Sequence, residues 1–262
     1  MHVARKRFGQ HFLHDPLVIG RIVAAIHPGP DDHMVEIGPG LGAITLPLLR
    51  QLRRLDAVEI DRDAIAHLRE HTADRTRGLG DLQIHEADVL KFDFSSLRRD
   101  PLPLRVVGNL PYNISTPLLF HLIAQRDHIQ DMHFMLQKEV VDRMAAVAGD
   151  DDYGRLSVML APWLQVEPLF DIGAGAFRPP PRVTSTFVRL TPHRTPPFRI
   201  DNPSRFAAIV SAAFSQRRKT LRNSLKTLLT VEHIRSVGID PTARAEVIAP
   251  AQFARLAELE SV

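Results

Sequence analysis

Strand-like and helix-like patterns alternate along about the first 150 residues, and that alternation restricts the fold more than any other feature. "HDPLVIGRIVAAIHPG" predicts a helix, with Asp15 as N-cap, Pro16 in the first helical position and Gly29 closing it. Val18, Ile22, Val23 and Ile26 share its apolar face. "HMVEIG", "LDAVEID", "LQIHEAD", "RVVGN" and "DMHFMLQ" then read as five strands, with helices predicted between and after them. The result is an α/β chain with a doubly wound, mostly parallel, Rossmann-like sheet. "QVEPLFDIG" and "TSTFVRLTP" predict two further strands, added antiparallel near a sheet edge. After the Pro-rich "TPHRTPPF", every pattern is helical, over about 203–214, 217–229, 231–237 and 250–260. The expected division is a catalytic domain over 1–194 and a small all-helical domain over 195–262.

Composition narrows the partners. The 262 residues hold no cysteine, which excludes disulfides and thiolate metal sites and suits a reducing cytosol. No run nears the roughly 18 apolar residues of a membrane span, and the N-terminus is basic without an apolar stretch behind it. Net charge is only +3, but the basic residues cluster. Arg5, Lys6 and Arg7 form one group; Arg217, Arg218, Lys219, Arg222 and Lys226 form another with no acid among them. Two such clusters point to a polyanion, and nucleic acid is the expected partner.

The predicted strand ends carry the chemistry. "VEIGPGLGA" puts Gly38, Gly40 and Gly42 between a strand and a helix, where the backbone can approach a cofactor closely. Ala43 also completes G-x-G-x-x-A, so the glycines alone do not choose the cofactor. Glu59 ends the next strand, suited to ribose hydroxyls, and Asp61 is an N-cap. Asp88 follows the third strand. Together they indicate an adenosine-containing cofactor, S-adenosylmethionine or NAD. Asn109, Leu110, Pro111 and Tyr112 at the fourth strand end have the Asn/Asp-x-Pro-Tyr form of enzymes that methylate exocyclic base amines. The adenine N6 lone pair is delocalised into the ring. The Asn109 side-chain oxygen and the Pro111 carbonyl can accept its two N–H bonds and bias the nitrogen toward a tetrahedral shape. Tyr112 can stack on the extruded base. A dehydrogenase has no use for this arrangement. "HLREH" (His67, Glu70, His71) matches an inverted zinc motif, but a solvated helix face explains it and no metal is expected.

These motifs, with "KRFGQHFLHD", "MLQKEVVDRM", "YGRLSV", "FRPPPRVTS" and "FSQRRKTLRNSL" in order along nearly the whole chain, resemble the small-subunit ribosomal RNA adenine N6-dimethyltransferases. The resemblance implies transfer of two methyl groups from S-adenosylmethionine to each of two adjacent adenosines. The target is a hairpin loop near the 3′ end of small-subunit RNA, late in subunit assembly. It implies that His11 and Leu13 contact the cofactor, Gly38 approaches its methionine end, Glu59 its ribose and Asp88 its adenine amine. Asn109 would bridge cofactor and target amine, and Phe177 would stack on the target base. Arg217, Arg218, Lys219 and Arg222 are expected on RNA phosphates. A monomer in a bacterial cytoplasm is expected, working on the small subunit. Two departures stand out: His11 replaces the usual Asn, and Arg182 and Thr184 stand where Lys and Asp are common. Relatives that methylate large-subunit RNA, and a non-catalytic assembly factor on the same fold, are the alternative readings.

Overall fold

The computed structural model describes residues 11–73, 78–97 and 102–259. The basic group Arg5, Lys6 and Arg7 lies outside these residues. The chain divides into two compact units, the first made of residues up to Val141 with Val166–Pro192, the second of Asp142–Gln165 with His193–Val262.

The first unit is built on a seven-stranded sheet. Its strands are β2 (His33–Ile37), β3 (Arg54–Glu59), β4 (Asp81–Glu86), β5 (Leu104–Asn109), β6 (Ile129–Gln137), β7 (Leu164–Ile172) and β9 (Ser185–Pro192). The order across the sheet is β4-β3-β2-β5-β6-β9-β7. The first five are parallel and β9 joins β6 antiparallel. A separate two-stranded ladder pairs β1 (Phe12–Leu13) with β8 (Phe177–Arg178).

The chain runs outward from β2 through β3 to β4, then returns to the other side of β2 as β5. The strand order therefore reverses between β2 and β5. In sheets of this kind the crevice at that reversal, beyond the carboxyl ends of the strands, is where ligands bind. β2 is buried along its whole length, as its Met, Val and Ile predict for a central parallel strand.

Side chains alternate between the two faces of a strand. Met34, Leu55, Val107 and Met135 share one hydrophobic cluster with Ile22 and Ile26 of helix α1 (Pro16–Ile26) and with Leu48 and Leu49 of α2 (Thr45–Leu49). Glu36 and Asn109 lie two residues further along the same strands and Glu59 four, so all three face the same side as that cluster, past its apolar end. α1 starts as expected, with Asp15 accepting from Leu17 and Val18. It ends two residues earlier than Gly29, at His27, which takes the left-handed conformation with φ 50°. The Arg105 guanidinium bonds the Ile26 carbonyl, Asp32 and Asp131, and so pins that helix end to the amino ends of β5 and β6.

The second unit holds α6 (Arg155–Leu160) and α7 (Pro203–Ala213). Short helices follow at α8 (Leu221–Ser224), α9 (Val231–Ser236) and α10 (Pro250–Glu258). A boundary at residue 195 misses residues 142–165. Tyr153 and Val158 are buried with Phe206, Ile209, Leu221 and Phe253 in the core of the helical unit, and the Tyr153 hydroxyl donates to the Ile248 carbonyl at 2.7 Å. "YGRLSVMLAPWL" reads as another helix after the sheet, and nothing local announces which core takes its apolar face. The helix predicted over 217–229 is also cut short. Thr220 is extended and bridges Arg244, so Arg217, Arg218 and Lys219 lie in a turn and the helix spans only Leu221–Ser224. No helix of the described residues is long and apolar enough to cross a membrane.

Candidate active site

The ends of β2, β3 and β5 open into a cavity of about 1120 Å³. That exceeds the usual range for a single small ligand, about 300–1,000 Å³. Its wall includes Glu36, the Gly38–Gly42 loop, Glu59 and Asn109–Tyr112, with His11, Leu13 and His14 from the N-terminal side.

The glycine loop leaves β2 with Gly38 donating to the Val58 carbonyl at 3.0 Å. Gly38 and Gly40 have φ of 62° and 55°, a region that costs an L side chain about 1–2 kcal/mol. At Gly40 there is a second reason: a Cβ would sit 3.3 Å from the Phe12 ring. At Gly38 a Cβ would meet nothing within 4 Å among the described residues. The surface there is bare backbone facing open space.

Glu59 is built into this loop. Its Oε2 accepts from Gly40 N at 3.2 Å, and its Oε1 from Ile60 N and Asp61 N at 2.8 and 2.9 Å. Burial pushes its carboxyl above the usual range, against the pull of those three amides. Oε1 thus has both lone pairs taken, and Oε2 keeps one for a ligand hydroxyl. Asp61 caps the next helix, α3 (Arg62–Thr72), by accepting from Asp63 N at 3.1 Å.

Glu36 was not singled out in the sequence, yet it is the most perturbed acid on the wall. It is 2% exposed, and burial pushes its carboxyl up to about 8, with the Thr45 hydroxyl opposing and the Glu59 charge adding to the shift. Among the described residues its Oε2 has no hydrogen-bond partner. An acid inside an otherwise apolar central strand was the available signal. Arg178 and Pro179 also reach the wall from a distant segment.

Asn109 ends β5, and its Nδ2 donates to the His11 carbonyl at 3.0 Å. A carbonyl can only accept, so the amide orientation is fixed and Oδ1 takes no bond within the described residues. Leu110 is 1% exposed, which seats the turn in the core. The Ser115 hydroxyl donates to the Tyr112 carbonyl at 3.1 Å, and the Tyr112 hydroxyl lies 3.1 Å from Ser185 Oγ. The turn is therefore held at both ends, with Pro111 between.

Two expected members are not on this wall. Asp88 is half-buried, caps a 3-10 turn by accepting from Leu90 N at 3.0 Å, and does not line the cavity. Phe177 is 2% exposed, paired with Leu13 and packed in the apolar cluster of the first unit. A ring so enclosed presents no face to a base, so the expected stacking is not available in this arrangement. The four cations Arg217, Arg218, Lys219 and Arg222 lie in the second unit, all exposed. Arg217 Nε is 3.2 Å from Glu246 Oε1. His67 and His71 pack ring to ring at 3.9 Å on their helix. Among the described residues no group of three or more His, Asp or Glu could hold a metal ion.

The profile of the family "Ribosomal RNA adenine dimethylase" matches residues 1–260. The chain belongs to that family. It is 55% identical over 258 residues to a ribosomal RNA small subunit methyltransferase A from Marinobacter nauticus, covering 98% of this chain and 92% of that one. In structure it is similar to a dimethyladenosine transferase from Plasmodium falciparum (TM-score 0.78, 24% identity, covering 94% of this chain and 96% of the other), which shows the fold. It is also similar to the 23S rRNA methyltransferase ErmE (TM-score 0.71, 26% identity, covering 94% and 98%).

Proposed function

We propose that this chain transfers methyl groups from S-adenosylmethionine to N6 of two adjacent adenosines in a hairpin loop near the 3′ end of small-subunit ribosomal RNA. The product is N6,N6-dimethyladenosine, made late in subunit assembly. One observation carries the reading: the His11 carbonyl fixes Asn109 so that its side-chain oxygen is left to accept from an exocyclic amine.

The residues fit the methyl donor. The bare backbone at Gly38 suits the methionine end. The buried Glu36 oxygen without a partner adds an acceptor on the same wall. Glu59, held by three amides, suits ribose hydroxyls. His11 and Leu13 close the wall from the N-terminal side. Asp88 comes to the adenine amine by family resemblance, and that contact requires the ligand to extend past the wall described above. The bound donor supplies an electrophilic methyl group on a sulfonium, so attack neutralises charge and needs no strong base.

The chain's part is positioning. Asn109 Oδ1 and the Pro111 carbonyl hold the two N–H bonds of the target amine, and the Tyr112 ring supports the base. These contacts are worth most where the nitrogen is turning tetrahedral, so they act on the rate more than on affinity. Arg217, Arg218, Lys219 and Arg222 would supply phosphate contacts. A single copy is taken as the working unit, in a bacterial cytoplasm where subunits assemble.

The test incubates the protein and S-adenosylmethionine in parallel with small subunits lacking the modification and with unmodified large subunits. The RNA is digested and mapped by mass spectrometry. Dimethyladenosine in the 3′-terminal hairpin supports the reading. Methylation of large-subunit RNA instead would move the chain to the relatives of ErmE. Cofactor binding without methylation of either RNA would leave an assembly factor.

A further inference from the structure

We propose that the His11 imidazole is a positioning residue that sets the pose of the Tyr112 ring, so that its loss slows methyl transfer while leaving cofactor affinity in place. This deepens the function proposed above and rests on it.

His11 takes part in the cavity in two separable ways. Its backbone carbonyl orients Asn109. Its side chain does something else. Nδ1 lies 2.7 Å from the Pro179 carbonyl, which can only accept, so Nδ1 carries the proton. That bond sets the plane of the imidazole. The ring then stacks on Tyr112, with centroids 5.8 Å apart and planes 29° from parallel, inside the range of favourable ring pairs. Tyr112 is thereby held by its hydroxyl at Ser185 and by its ring at His11. A ring fixed at both places has little freedom left to lose when a base stacks on it.

The strap that delivers His11 does not depend on the imidazole. Phe12 and Leu13 pair with Arg178 and Phe177, and His14 N donates to the Ala176 carbonyl at 2.9 Å. Changing the side chain therefore leaves the backbone carbonyl, and with it Asn109, where they are. The donor nitrogen is committed to Pro179 rather than to a ligand, which separates this role from that of a cofactor contact.

The test uses the full chain and three variants: His11→Phe keeps a ring and loses the Pro179 bond, His11→Asn keeps a donor and loses the ring, and His11→Ala loses both. Thermal unfolding of each shows whether it folds, and the Phe and Asn variants carry the test if the Ala variant does not. S-adenosylhomocysteine affinity is measured by calorimetry and turnover on undermethylated small subunits at saturating cofactor. A 3′-terminal hairpin RNA with 2-aminopurine at the target position reports stacking by quenching, with Tyr112→Leu as the reference for its loss. The expected result for His11→Asn and His11→Ala is kcat down about tenfold or more, S-adenosylhomocysteine Kd within about threefold of wild type, and quenching reduced toward that of Tyr112→Leu. His11→Phe is expected to retain more of both than His11→Asn. Weaker S-adenosylhomocysteine binding with normal saturating kcat would overturn the proposal in favour of a cofactor ligand. Unchanged kcat and quenching would overturn it outright, as would His11→Asn outperforming His11→Phe. If the wild type methylates neither subunit's RNA, the parent reading fails instead.

Discussion

The Asn109 side chain donates to the backbone carbonyl of His11 across 3.0 Å, although 98 residues separate the two. The contact joins the end of a central strand to the N-terminal strap and decides which atom of the amide faces the cavity. Two substitutions read it out. Asn109→Ala removes the acceptor and is expected to slow methyl transfer at least about a hundredfold with S-adenosylhomocysteine binding retained, the scale for losing an oriented hydrogen bond in a transition state. Asn109→Asp is expected to be no better. A carboxylate cannot donate to the His11 carbonyl, and two oxygens would then face each other. Near-normal single-turnover rates in either variant would remove Asn109 from the mechanism.

Glu36 links the site to stability. Its carboxyl is pushed by burial to about 8 in the folded chain, from an ordinary value of 4.5. Between those values the folded state binds more protons than the unfolded state. Stability therefore falls as pH rises through that window and levels off above it. The loss is on the order of several kcal/mol. Glu36→Gln keeps the neutral form's shape and removes the titration. Denaturant unfolding at pH 5 and pH 9 is expected to show a smaller drop for the variant, with the variant the more stable at the higher pH. Equal slopes with pH in the two proteins would show that Glu36 is not the titrating group.

Much of this was legible in the sequence, for a physical reason. Strand ends in a parallel sheet are marked by β-branched runs that stop at Gly, Asn or an acid, so Gly38, Glu59 and Asn109 could be placed before their contacts were known. What one sequence does not carry is long-range pairing. The partnership of Phe177 with Leu13 buries a ring that a local reading leaves free for a base. The bridge from Thr220 to Arg244 breaks a helix whose own residues do not announce the break. Tyr153 joins the helical core through Ile248, 95 residues away. Glu36 was hidden differently: one acid in a hydrophobic strand reads as part of a glycine motif until its burial is seen.

Gly108 is a position where the sheet itself sets the site. A Cβ there would fall 2.7 Å from the Ile37 carbonyl oxygen. Ile37 and Gly108 are register partners in the β2–β5 ladder, so neither backbone can move without disturbing the strand pair at the reversal of strand order. Gly108→Ala is expected to cost about 1–3 kcal/mol, as overpacking does. Since Asn109 is the next residue, turnover should fall further than the loss of folded protein accounts for. Equilibrium unfolding together with turnover per folded molecule separates the two effects. A fully stable and fully active variant would mean that the strand ends are freer than their register implies.

The basic turn makes the last prediction, through salt. Arg218 and Lys219 are exposed, whereas Arg217 has Glu246 beside it. A cation that binds phosphate releases a condensed counterion, so each contact steepens the fall of affinity with salt. The slope per contact is about 0.7 for single strands and about 0.9 for duplex. Replacing Arg218 and Lys219 together with Ala is expected to weaken small-subunit RNA binding and flatten the logarithmic salt slope by roughly 1.4–1.8. Arg217→Ala should change the slope less, because its charge is already partly met by Glu246. The measurement is a binding titration at several salt concentrations with the hairpin-containing RNA, with S-adenosylhomocysteine affinity as the control for an intact first unit. An unchanged slope in the double variant would show that these residues do not touch phosphate, and a loss of affinity without a change of slope would assign them to folding of the helical unit.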